Sequence, residues 1–248
     1  MTDLAWPEGY ERHTLDEVDS TNAEALRLAP GLAGPTWIFA ARQLAGRGRR
    51  GRVWTDPEGN FAASLVLHPN EPPGHAALRS FVAALALHDA LRAVAPDADL
   101  SLKWPNDVLL NGGKLAGILL EGSSVAGRMA SLVIGIGVNL GQVPVPGAGG
   151  TVEPVSLRAE AGVEVAPETL LNHLAAAYAE REAVFQQDGF APIRADWLAR
   201  AARLGQVVTA RTMQGEAQGR FETVDEEGNL VLSTAEGRRA IPAADVFF

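Results

Sequence analysis

Two apolar runs, DVLL and KLAGILLE, stand on either side of Asn111-Gly112-Gly113. Asn-Gly readily supplies the positive φ angles of a tight primed turn, so a chain carrying this signal contains an antiparallel strand pair. Met129 to Leu140, MASLVIGIGVNL, is a further β-branched, apolar run, and Gly135 and Gly137 within it predict the close approach of another backbone or a ligand. Thr36 to Ala41 (TWIFAA), the run FAASLVLH after the turn DPEGN, and Leu100 to Lys103 are strand candidates. Helical spacing replaces the two-residue period in two places. Ala77 to Val94 carries Leu78, Phe81, Val82, Leu85, Leu91 and Val94, and Pro167 to Phe185 carries Leu170, Leu174, Ala177 and Tyr178 on one face. Thr21 and Glu24 have capping-box spacing and predict a helix start. Gly141 to Gly150 has no period and is expected to be a loop. From Gln206 onward short strands and turns alternate, with Glu227-Gly228-Asn229 as one turn; roughly 45 residues of this kind are marginal alone and should dock on the rest.

Several chemistries are excluded early. With no cysteine among the 248 residues, disulfides, thiolate metal sites and a cysteine nucleophile are absent. His13, His68, His75, His88 and His173 form no close pair, so no protein-held metal site is expected. The N-terminus lacks the basic flank and apolar core of a signal peptide, and the longest apolar run, Phe81 to Leu87, is far below the ~20 residues of a membrane span. A cytoplasmic protein is expected. The net charge of -9 argues against non-specific nucleic-acid binding.

Against that charge, Gln43 to Trp54 reads QLAGRGRRGRVW, with Arg47, Arg49, Arg50 and Arg52 interleaved with Gly46, Gly48 and Gly51. Glycine lets the backbone approach a ligand, and arginine presents a fork of donors to carboxylate or phosphate. An anion clamp, a solvated basic turn and a nucleic-acid arm all fit this composition. Lys103 sits at a strand end beside Trp104 and Pro105, where a fixed ammonium can stabilise a carboxylate or a phosphoryl transfer; a solvated lysine fits as well. Asn106 and Asp107 can cap the turn or face a ligand. No G-x-S-x-G, Walker A or Rossmann fingerprint is present.

STN at 20–22, Q-x-A-GRGRRGR-x-W at 43–54, KWPNDVLLN-x-x-KLAGIL at 103–119 and GIGVNL at 135–140 together resemble biotin protein ligases, also called biotin–[acetyl-CoA-carboxylase] ligases, over nearly the whole chain. The tail from about 205, with GNLVL, is similar to that family's C-terminal SH3-like domain, although Ala243-Ala244-Asp245 departs from a more usual glycine-containing ending. The resemblance implies an α/β (α+β) fold with a mixed, mostly antiparallel sheet flanked by helices over residues 1–204, and an SH3-like barrel over 205–248. It implies a two-step reaction. Biotin's carboxylate is adenylated by MgATP with release of pyrophosphate, and the biotinyl group then passes to a lysine of a biotin carboxyl carrier domain. Transferred position by position, it assigns biotin to Ser20, Thr21, Asn22, Gln43, Arg47, Gly48, Arg49, Lys103 and Gly117. It assigns ATP and the adenylate to Arg49, Arg52, Trp54, Asn106, Lys114 and Asn139. Lys103 is the expected catalytic cation, with Arg49 on the phosphate, and Asp107 is expected to meet the acceptor lysine or the metal. Mg2+ is expected with the nucleotide rather than in a site of its own.

The glycines also suggest that residues 46–52 act as a lid that orders on anion binding and keeps water from the mixed anhydride. The matching region begins within ~20 residues of Met1, so a monofunctional ligase without a DNA-binding domain is expected; nucleic acid and membrane are not expected as partners, and monomer and homodimer both stay open. Three rivals remain. A lipoate or octanoate ligase or transferase of the same fold would activate another acid, a non-catalytic sensor would bind biotin without releasing pyrophosphate, and a nucleic-acid binder would show steeply salt-dependent affinity.

Overall fold

The computed structural model describes residues 5–143, 152–212 and 215–248. Its main element is a seven-stranded sheet built from β1 (Glu11–Val18), β2 (Thr36–Gln43), β3 (Phe61–Leu67), β4 (Leu100–Lys103), β5 (Asp107–Leu110), β6 (Gly113–Val125) and β7 (Arg128–Val138). The order across the sheet is β1-β2-β3-β7-β6-β5-β4. Only β1 and β2 pair in parallel, joined through helix α1 (Thr21–Leu28); all other neighbours are antiparallel. The Asn111-Gly112 turn closes the β5–β6 hairpin as its sequence predicts, with Asn111 at φ 51 and Gly112 at φ 80.

Strand alternation gives the sheet two different faces. Trp37 and Phe39 of β2, Phe61, Ala63 and Leu65 of β3, and Leu132, Ile134, Ile136 and Val138 of β7 join the main core with α3 (Arg79–Val94), α5 (Pro167–Asp188) and α6 (Phe190–Ala199). The opposite face carries α1, whose Ala25, with Ala29 just past its end, packs on Ile38, Val66 and Val133. Between these apolar residues that second face carries Ser64, Gly135 and Gly137, which leaves room for a site.

Several expectations shift. The helix expected from Ala77 is divided at Leu78 into α2 (Pro73–Ala77) and α3, and α3 is buried nearly all round rather than along one stripe. The cap of α1 is Ser20 rather than Thr21: Ser20 Oγ accepts from the Ala23 amide, while Glu24 turns to Arg27. The expected loop at Gly141 to Gly150 falls mostly on residues 144–151, outside the described ones; α4 (Leu157–Ala161) follows.

The tail forms a five-stranded antiparallel sheet of β8 (Val207–Thr212), β9 (Gly215–Val224), β10 (Leu230–Thr234), β11 (Gly237–Ile241) and β12 (Asp245–Phe247), ordered β11-β10-β9-β8-β12. It packs onto the larger sheet's helices through the Glu227-Gly228-Asn229 turn. Trp104 Nε1 donates to the Gly228 carbonyl at 3.1 Å, and a Cβ at Gly228 would lie 3.0 Å from both Leu78 and Phe81.

Candidate active site

A cavity of about 560 Å³ opens on the α1 face of the sheet. One end is a polar recess made by the first turn of α1. Because Ser20 takes over the cap, Thr21 is free to turn inward: its amide and Oγ1 both donate to Gln43 Oε1, at 2.9 and 3.1 Å. Ser64 Oγ lies 2.8 Å from Thr21 Oγ1 and 2.6 Å from Asn22 Oδ1, and Asn22 Nδ2 donates to Glu121 Oε2 at 2.9 Å. Buried polar groups need partners, and this network fixes the rotamers of Thr21, Asn22 and Gln43. A Cβ at Gly135 would fall 2.0 Å from Asn22 Oδ1, so glycine there is what lets the asparagine sit against the strand.

The floor is flat because Gly117 of β6 and Gly137 of β7 are paired directly across the ladder. Trp54 lies on them, with its ring 2.5 Å from where a Gly137 Cβ would be. This tryptophan ends the arginine loop, which is a small hairpin. Gly48 N–H donates to Arg52 O at 2.7 Å, Trp54 N–H donates to Gly46 O at 2.9 Å, and a Cβ at Gly46 would meet Trp54 O at 2.5 Å. Arg50 (φ 57) and Gly51 (φ 73) make the turn.

The charges converge at the other end. Arg47, Arg49, Arg52, Lys103 and Lys114 line the cavity together with Asp107, Glu153 and Asp245. Lys103 is 3% exposed, and burial pushes its pKa below the ordinary lysine value although Asp107 pulls the other way. Asp107 bridges two lysines, with Lys103 Nζ 3.8 Å and Lys114 Nζ 2.7 Å from its oxygens. Arg49 Nη1 donates to Asn106 Oδ1 at 3.0 Å, and Asn106 Nδ2 donates to the Ile118 carbonyl at 2.6 Å, so the K-W-P-N-D turn holds a loop arginine in place. Five cationic side chains face three carboxylates at this end, and the excess positive charge suits a negatively charged ligand. Among the described residues no three His, Cys, Asp or Glu side chains converge on a common metal position.

Of the residues singled out in the sequence, Ser20, Thr21, Asn22, Gln43, Arg47, Gly48, Arg49, Arg52, Trp54, Lys103, Asn106, Asp107, Lys114 and Gly117 all line this one cavity. Asn139 does not. It is 1% exposed, and its Nδ2 donates to Val155 O at 3.0 Å, which ties the end of β7 to the 153–155 segment beneath Lys114. Sequence reasoning overlooked Ser64, Glu121 and Asp245. Nothing marks Ser64 within an apolar strand, and Asp245 lies nearly 200 residues from the arginines it meets.

The chain matches two described families, Biotin/lipoate A/B protein ligase family over residues 15–139 and Biotin protein ligase C terminal domain over residues 204–248. It is 55% identical to a biotin–[acetyl-CoA-carboxylase] ligase of Paracoccus denitrificans, covering 94% of this chain and 99% of that protein. It is 35% identical to the bifunctional ligase/repressor BirA of Bacillus subtilis, covering 93% of this chain and 72% of the relative. Among solved structures, the biotin protein ligase of Aquifex aeolicus in complex with biotin and ATP superimposes with a TM-score of 0.82 at 28% identity, covering 95% of this chain and 97% of that one. The sheet order, the loop and turn that meet in one cavity, and these likenesses together show that the chain belongs to the biotin/lipoate A/B protein ligase family, among its biotin protein ligases.

Proposed function

We propose that this chain is an ATP-dependent biotin protein ligase that adenylates biotin and passes it to a lysine of a biotin carboxyl carrier domain. The observation that carries this reading is the joining, in one cavity, of an uncharged polar recess to a cluster of lysines and arginines. A bicyclic urea suits the recess, where Ser20, Thr21, Asn22 and Gln43 offer donors and acceptors without charge. The valerate tail then runs toward Lys103, with Arg47, Gly48, Arg49 and Gly117 along its path.

Adenylation brings a carboxylate against a triphosphate. Two unit charges about 4 Å apart repel by roughly 4 kcal/mol at the effective dielectric of a partly exposed site, and the cations at this end offset that repulsion. Lys103 and Arg49 stabilise charge at the α-phosphate as a carboxylate oxygen forms its bond to phosphorus and the bond to the pyrophosphate oxygen breaks. Arg52 takes the leaving phosphates, and Trp54, Asn106 and Lys114 hold the nucleoside side. Asn139 acts at one remove, by fixing the backbone under Lys114. In the second step the acceptor amine attacks the acyl carbon, AMP leaves with the anhydride oxygen, and the amine loses a proton; Asp107 is the carboxylate nearest this chemistry. Mg2+ would neutralise charge on the phosphates when bound, and with Asp107 and Asp245 engaged by cations it would be held chiefly through the nucleotide.

We also propose a division of the chain into a catalytic unit over residues 1–204 and an SH3-like unit over 205–248, and a cytoplasmic site of action; among the described residues no helix is long and apolar enough to cross a membrane. Incubation with biotin, MgATP and a carrier domain, followed by intact-mass analysis, should add one biotinyl group to a single acceptor lysine. No addition while octanoyl or lipoyl transfer proceeds would replace the reading with that of the fold's lipoyl relatives.

A further inference from the structure

Asp245 begins β12 in the small sheet, yet its side chain reaches the wall of the cavity. Its Oδ2 atom lies 2.8 Å from Arg50 Nη1 and 2.5 Å from Arg52 Nη2, so a single carboxylate oxygen is shared by two guanidinium groups of the arginine loop. Two cationic forks closing on one anionic oxygen is the arrangement a phosphate oxygen adopts between arginines. The carboxylate is the fixed partner: β12 is pinned to β8 through the pairs Asp245↔Arg211, Val246↔Ala210 and Phe247↔Thr209. The arginines are the adjustable partners, on long side chains that stay 38% and 42% exposed; Arg52 lines the cavity and is open to an anion arriving through it, while Arg50 lies outside that lining, on the turn of the same loop. The chain end stands close by as well, with the Phe248 ring 5.5 Å from the Lys103 ammonium.

We propose that Asp245 is a built-in stand-in for polyphosphate, a positioning residue that neutralises Arg50 and Arg52, yields them to the incoming phosphates and takes them back as pyrophosphate leaves. This rests on the ligase reading given above. The two anions exclude each other, since Arg50 and Arg52 cannot donate fully to Asp245 and to a phosphate oxygen at once, and a carboxylate left beside a bound polyphosphate repels it. The exchange has a use. Once pyrophosphate departs, the loop over the mixed anhydride would lose its anionic partner; Asp245 replaces that partner, holds the loop shut and disfavours rebinding of the product.

The test is calorimetric titration of the full chain with pyrophosphate, with KM for MgATP in biotin-dependent pyrophosphate release as a parallel measurement. Asp245→Asn keeps the shape and removes the charge, and it should bind pyrophosphate about two- to fivefold more tightly, the scale of losing one partly exposed charge interaction. Asp245→Glu, which retains the charge, should stay near the wild type. A tie that serves folding or loop geometry alone predicts the opposite sign, because freeing the arginines would then disorder the site. Unchanged or weaker pyrophosphate binding by Asp245→Asn overturns the proposal, as does undetectable binding by both proteins. Should that variant fail to fold, Asp245→Ser answers the same question with the same expected sign. A wild-type chain that binds pyrophosphate but releases none from MgATP with biotin would overturn the ligase reading instead, and the pyrophosphate titration would still decide the role of Asp245.

Discussion

Replacing Gly137 by alanine sets a methyl group into the Trp54 ring. The added Cβ would lie 2.5 Å from Cε2, 2.6 Å from Nε1 and 2.7 Å from Cζ2. Nonbonded carbons settle at about 3.5 Å or more, so something must move by roughly 1 Å. The strand cannot, because β7 is bonded to β3 on one side and to β6 on the other. The ring must, and since the Trp54 amide is tied to Gly46 O, the arginine hairpin moves with it. Overpacking a confined site costs about 1–3 kcal/mol; a loop that gives way puts this substitution near the low end, a fall in Tm of roughly 2–4 °C for a chain of this size. The functional loss should be larger, because the displaced hairpin carries Arg49 and Arg52: affinity for biotinyl-5′-AMP should drop about tenfold or more, ~1.4 kcal/mol. Gly117→Ala is the graded control. Its Cβ would lie 3.3 Å from Trp54 Cζ3 and 3.5 Å from the end of Lys114, contacts that a shift of a few tenths of an ångström relieves. Thermal melts should therefore show Gly137→Ala impaired and Gly117→Ala close to the wild type, and titration with the adenylate should show the loss in Gly137→Ala. Equal losses in the two variants, or an unaffected Gly137→Ala, would refute the glycine floor as the seat of the loop.

Other perturbations separate the site from its scaffold. Arg79 and Glu182 are each 4% exposed and paired at 2.8 Å, with Glu71 also on Arg79 and Tyr178 donating to Glu182, so Arg79→Met should cost about 3–5 kcal/mol by stranding a buried carboxylate. Chemical denaturation checks this, and a cost below about 1 kcal/mol would mean that the carboxylate finds water. Burial lowers the pKa of Lys103, so its ammonium is present at low pH and is lost as pH rises through a value under the ordinary 10.5. Biotin affinity should fall along that alkaline limb, and Lys103→Met should bind weakly with the limb absent; an unchanged limb in the variant would assign the ionisation elsewhere. Hydrogen exchange over residues 46–52 should slow when biotin and MgATP are added together, and equal protection with and without them would remove the loop's role as a lid.

Legibility in the sequence followed the range of the physical signal. The β5–β6 hairpin, β7 and helix α5 were readable because turn chemistry and period are local properties. Strand β1 was not: ERHTLDEV shows only Leu15 and Val18 as apolar, and its pairing with β2 depends on a crossover through α1 rather than on its own pattern. The same limit explains the cap of α1, where Ser20 and Thr21 are both able to cap and the hydrogen bond from Thr21 to Gln43, 22 residues away, decides between them. In the site, Gly135 and Gly137 signal a close approach, and the side chains of Asn22 and Trp54 make it rather than the backbone or ligand expected. Asp245 stood out only within Ala243-Ala244-Asp245, a departure from the usual ending, because its meaning comes from a contact with Arg50 that spans 195 residues. The motif placed Asn139 with the nucleotide, whereas its hydrogen bonds go to the backbone behind the cavity wall.

The most direct test of the central claim is a single-turnover assay of pyrophosphate release from MgATP with biotin, octanoate or lipoate as the acid and no acceptor protein present. A burst equal to the amount of enzyme with biotin, and none with the other two, is the predicted result. A burst with octanoate or lipoate would make the polar recess a fatty-acid site, and biotin binding with no burst would leave a protein that holds biotin without activating it.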